Sequence, residues 1–98
     1  MNDYYKQAYK KFLNEWGYDA QSLMCIEEMS ELTKALCKYK RFNKEQASPE
    51  IKQNILEEIA DVLNTAEQMQ YYFGEEEVEK IRKEKIERSL KKIKWKMF

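Results

Sequence analysis

Apolar residues recur along this chain at the three- and four-residue spacing of an α-helix almost from end to end. Cys25, Met29, Leu32, Leu36 and Tyr39 form one such stripe, and Ile51, Ile55, Val62, Ala66, Met69 and Phe73 form a second. Few residues interrupt the pattern. A first helix runs from about Asp3 to Glu15 and stops at Trp16-Gly17, where glycine supplies a left-handed C-cap. A second starts near Asp19, a suitable N-cap, and continues to about Phe42. Polar residues 43–47 form a connector, after which Ser48-Pro49-Glu50 gives a cap serine, a first-position proline and an early acid. That third helix runs to about Phe73, with Gly74 as its stop. A fourth starts at Glu75 and carries Val78, Ile81, Ile86, Leu90, Ile93 and Met97. Short connections make neighbouring helices antiparallel, so the expected architecture is all-α, a four-helix antiparallel bundle. Residues 1–98 read as a single domain, small enough that a protomer gains by pairing into an oligomer.

The acids break the ordinary amphipathic pattern. At about 100° per residue, Glu28 and Glu31 lie within about 60° of each other, directly beside the first apolar stripe. Glu58 and Asp61 repeat that placement beside the second. An echo ties the two together: residues 27–32 read EEMSEL and residues 57–62 read EEIADV, thirty positions later. Acids of an amphipathic helix normally occupy the face opposite the apolar stripe. Here both pairs sit at its edge, and antiparallel packing would make four carboxylates converge. Such a group repels itself unless a cation joins it.

Composition narrows the identity of that cation. The chain has 18 basic and 18 acidic residues and no histidine, so the ligand set at the acid stripe is all oxygen. Oxygen ligands select Mg²⁺ or Mn²⁺ over zinc, copper or iron. A di-iron carboxylate bundle needs Glu-x-x-His, which this chain does not have. Absence of histidine also removes Ser-His and Cys-His nucleophile pairs. The two glycines, Gly17 and Gly74, are too far apart for a phosphate-cradling glycine loop. Mg²⁺ held by a few carboxylates takes its remaining ligands from water and substrate phosphates, which points to phosphoryl or pyrophosphoryl chemistry. Zero net charge argues against nucleic-acid or membrane partners, although residues 88–96 carry Arg88, Lys91, Lys92, Lys94 and Lys96 without an acid. Cys25 and Cys37, about 18 Å apart along one helix, read as separate reduced thiols. With no apolar leader or membrane-length run, the expected location is cytoplasmic.

The ordered acids carry a resemblance. Glu27-Glu28-Met-Ser-Glu31 followed after 26 residues by Glu58-Ile-Ala-Asp61 resembles the EExxE…ExxD pattern of the MazG-like nucleoside triphosphate pyrophosphohydrolases, notably their short phage-like type. EWGYDAQSLMCIEEMSELTKALCKYKR, EEIADVLNTAEQM and KIERSLKKI are similar to stretches of that family in the same order. The resemblance implies hydrolysis of a nucleoside triphosphate between its α- and β-phosphates, in a homodimer or homotetramer. It also implies that Glu28, Glu31, Glu58 and Asp61 hold Mg²⁺. By helical angle Glu27 lies about 100° off that stripe and Asn64, one turn past Asp61, faces away from its centre, so both belong behind the ligands rather than among them. Lys85 and Arg88 stand at the family's K-x-x-R position, and Lys38 shares the carboxylate stripe; all three are candidates for phosphate contact. Trp16 and Gln21 are candidates for stacking on the base and bonding its edge. Tyr4, Tyr5 and Tyr9 read as packing or interface residues. Two other readings remain: a related phosphoribosyl-ATP pyrophosphohydrolase, and a non-catalytic helical module that binds nucleotide or a partner.

Overall fold

A computed structural model of the chain describes residues 1–41 and 48–96. All regular structure among them is helical: α1 spans Asp3–Arg41, α2 Pro49–Phe73 and α3 Glu75–Lys96. The expected connector at 43–47, the helix end at Phe42 and Met97 lie outside the described residues.

The fold holds three helices rather than the expected four-helix bundle, but α1 is two helical stretches that meet at a kink. Gly17, with φ 84° and ψ 162°, is not helical, so the expected break falls there. It has the positive φ expected of a glycine stop but not the ψ of a left-handed cap. Asp19 therefore lies inside helix rather than capping one, and its carbonyl accepts from the Ser22 hydroxyl at 3.0 Å. The second start signal behaves as its chemistry requires. Ser48 is extended (φ −68°, ψ 158°), its Oγ accepts from the Ile51 N–H at 3.2 Å, and Pro49 opens α2. At the other end the Gly74 N–H donates to the Gln70 carbonyl at 2.9 Å.

α1 and α2 run antiparallel, and three contacts fix their register. Tyr18 stacks on Tyr72 with ring centroids 4.6 Å apart. Glu28 meets Glu58 and Asp61 midway. Ala35 and Lys38 share a small depression with Glu50, Ile51 and Asn54 at the far end. The buried residues follow this seam: Gln21, Cys25 and Ala35 from α1, Thr65 and Gln68 from α2, and Tyr9 from before the kink. Thr65 satisfies its hydroxyl by donating to the Asp61 carbonyl at 2.9 Å. Cys25 is buried, Cys37 is exposed, and both are free thiols.

The seam is rotated relative to the sequence expectation. Met29, Leu36, Ala66 and Phe73, expected in the core, are exposed. The helices meet along the boundary between acid and apolar stripes, so each apolar stripe is only partly covered. α3 is more open still. It is tied to the rest through Glu75, which pairs with Lys6 at 3.0 Å, and through Gln70, whose amide donates to the Glu75 carbonyl at 3.2 Å. Every residue from Glu79 to Lys94 is exposed. No helix among the described residues is long and apolar enough to cross a membrane.

Candidate metal centre

The seam brings three of the four predicted carboxylates together. Glu28 from α1 and Glu58 and Asp61 from α2 each offer an oxygen, all within 4.8 Å of one another. Position in the helix accounts for this. Glu58 and Asp61 share a face by their i,i+3 spacing, and Glu28 sits one helix away at the matching height. Glu28 and Glu58 are half-buried, and Asp61 is exposed. Glu31 lies close enough to act on the others electrostatically but turns to Lys34, whose ammonium donates to it at 3.5 Å. The sequence placed Glu31 on the stripe; in the structure its side chain is exposed beside Lys34, outside the group of three.

Electrostatics describes a site short of positive charge. Partial burial, then the negative charges of Asp61, Glu58 and Glu31, raises the proton affinity of Glu28 above the ordinary carboxylate value. Burial also comes first for Glu58, raised further by Asp61, Glu31 and Glu57. One oxygen of Glu58, Oε2, is buried without any hydrogen-bond donor. A buried carboxylate oxygen lacking a donor is costly unless a proton or a cation meets it. The donor set here is carboxylate only, from two rigid helices, which suits a hard divalent cation.

The other expected residues scatter. Lys38, some two turns along from Glu31, lines the depression with Ala35, Glu50, Ile51 and Asn54, a lining that includes none of the candidate carboxylates. Trp16 is 56% exposed just before the kink and stacks on Phe12 at 5.4 Å. Gln21 is 3% exposed and points into the seam. Glu27 and Asn64 are exposed. Lys85 and Arg88 stand on the exposed length of α3 and share no ion pair or hydrogen bond with the carboxylates among the described residues. Of the early tyrosines only Tyr9 is buried; Tyr4 and Tyr5 are exposed.

A second polar group lies along the same seam and was missed from sequence. Burial and the neighbouring Glu67 push the Tyr9 hydroxyl up to about 12. Gln68 is as buried as Gln21, and its Oε1 and the Glu67 Oε1 have no donor. The available signal was polar residues directly beside the second apolar stripe: Thr65 and Gln68 flank Val62, Ala66 and Met69. Compared with family models, curated proteins and solved structures, the chain matches none.

Proposed function

We propose that the chain is a Mg²⁺-dependent nucleoside triphosphate pyrophosphohydrolase that also accepts Mn²⁺. Water cleaves the bond between the α-phosphorus and the bridging oxygen, releasing nucleoside monophosphate and pyrophosphate. One observation carries this reading: three carboxylates from two helices converge within 4.8 Å, and one of them holds a buried oxygen with no donor. The motif order described above gives that geometry its reaction class.

In this reading Glu28, Glu58 and Asp61 hold the cation, and Glu31 completes the set by leaving Lys34. The cation, when bound, neutralises phosphate charge and acidifies water. Lys38, which shares the carboxylate stripe by spacing, meets the distal phosphates. Trp16, 56% exposed, supplies a stacking surface for the base, whereas Gln21, covered by the seam at 3% exposure, is left out of the base contact. Lys85 and Arg88 contact phosphate in a homodimer or homotetramer, where α3 of one protomer reaches the site of another. The protein works in the cytoplasm on free nucleotides.

The test is a panel of canonical and modified nucleoside triphosphates with Mg²⁺ and pyrophosphate detection. Glu58→Gln removes a ligand charge and is expected to lower turnover on the order of 100-fold or more, the loss of several kcal/mol of transition-state stabilisation. Chelation should abolish turnover and added Mg²⁺ restore it. A silent panel, or a Glu58→Gln variant as active as the parent, rejects the reading.

A further inference from the structure

We propose that α3 lies on an anionic lipid surface, docked by an aliphatic stripe and the cations that flank it. Zero net charge describes the whole chain and hides how the charge is divided. Residues 80–94 hold eight cations and two acids, a net of +6. The rest of the chain holds ten cations and sixteen acids, a net of −6. Each charge reaches only about 10 Å through 0.1 M salt. Glu79 to Lys94, all exposed, extend over about 24 Å of helix. A surface that meets this limb therefore meets its local charge and not the average.

Charge alone would suit any polyanion, and the apolar residues decide among them. Ile86, Leu90 and Ile93 fall within about 60° of one another at helical spacing. They are 58%, 59% and 59% exposed. Arg82 and Lys83 border this stripe and share a shallow depression with Ile86, and by the same angular reckoning Lys94 borders its far end. Glu79, the one acid within the arc, is paired with Arg82 at 2.9 Å. Against a nucleic-acid backbone the aliphatic side chains would stay in water, because phosphate contacts use cations and hydrogen-bond donors. At a lipid surface they sink into the headgroup boundary, while lysine and arginine stems run beside them and keep their charges at the phosphates. An anionic bilayer uses both kinds of residue on α3; a nucleic acid uses one. The helix lies on the surface and does not span it, since none among the described residues is long and apolar enough to cross. Three aliphatic residues make a narrow stripe, so the cations are needed to hold it there. Lys85 and Arg88 fall roughly 100° or more from its centre and face away from the lipid, still able to meet a nucleotide phosphate. The carboxylates of α1 and α2 take no part, so this docking is independent of the proposed hydrolysis.

The test is co-sedimentation of the full chain with phosphatidylcholine vesicles, with or without an equal part of phosphatidylserine. At about 0.1 M salt the chain should bind the anionic vesicles at least about 10-fold more tightly than the neutral ones. It should release them near 1 M, where screening shortens to about 3 Å. Leu90→Ala/Ile93→Ala keeps the charge and the helix propensity, and should weaken binding on the order of 10-fold. Lys83→Gln/Lys94→Gln should weaken it by a similar factor. Leu56→Ala/Leu63→Ala, on α2, should bind as the parent does. Absence of binding at low salt overturns the proposal, as does equal binding of neutral vesicles. So does an α3 alanine variant that binds like the parent, or an equal loss in the α2 variant. A DNA duplex held equally by the parent and the α3 alanine variant, with anionic vesicles left unbound, gives the cations to nucleic acid and also overturns it.

Discussion

The two sides of the α1–α2 pair are built on one angular plan and filled with opposite chemistry. On one side, Glu28, Glu58 and Asp61 converge with too little positive charge nearby. On the other, Met29, Leu56 and Leu63 are left open to water. Each side is unfavourable as it stands, for different reasons. Like charges repel over several ångströms and respond to ions and protons. Apolar surface responds only to being covered. The difference teaches that a helix pair with a narrow seam can leave two needs unmet at once, and that different partners answer them.

Metal-linked stability gives the sharpest contrast. At a Mg²⁺ concentration of 100 times its dissociation constant, binding adds about 2.7 kcal/mol to the stability of the folded state. Thermal melting with and without Mg²⁺ should show that gain in the parent and lose it in Glu28→Gln. Leu63→Ser, on the apolar side, should keep it. Loss in both variants would erase the distinction between the sides.

Gly17→Ala comes next, because it disturbs neither chemistry directly. A residue with a Cβ is strained at φ 84° whatever space surrounds it, and the added Cβ meets nothing within 4 Å. Strain of this kind costs roughly 1–3 kcal/mol, read as a lower denaturation midpoint. The Mg²⁺-linked gain should persist, since the kink lies outside the carboxylate register.

The smallest effect is the pH response of the metal-free protein. Glu28 and Glu58 bind protons more tightly folded than unfolded, so the folded state holds more protons above the ordinary carboxylate range. Their contribution is present below the unfolded value and lost as pH rises through the folded one. Glu75 behaves oppositely. Its hydrogen bond to Lys6 holds it below the usual range, so its contribution is lost as pH falls. Metal-free stability should therefore peak at about pH 4–5, near the unperturbed carboxylate values. Saturating Mg²⁺ should move that optimum upward. Melting curves across pH check both statements.

The helical class and the meeting of Glu28, Glu58 and Asp61 were legible in the sequence, because a 3.6-residue period fixes which residues share a side. Ser48 and Pro49 marked their helix start because capping is local chemistry. Gly17 marked the break in α1 because a positive φ is a local demand that glycine meets most cheaply. Two features resisted reading, each for a physical reason. The rotation of the seam was hidden because an apolar stripe does not say which of its residues meet the neighbour within the chain. Gln68 was hidden because a buried amide looks like a surface residue until its opposite number is known.

α3 stays helical with almost nothing packed along it, and its own charges explain how. Glu75, Glu76 and Glu77 occupy the first turn, where the helix dipole is positive. Lys91, Lys92 and Lys94 crowd toward the negative end. Arg82 clasps Glu79 with a guanidinium nitrogen 2.9 and 3.0 Å from its two oxygens. Such a helix is held by attractions that dissolved salt screens within roughly 10 Å at 0.1 M. In the seam between α1 and α2 the same screening acts with the opposite sign, because it weakens the mutual repulsion of Glu28, Glu58 and Asp61. The chain therefore has one limb that added salt loosens, joined through Gly74 to a pair that added salt relieves.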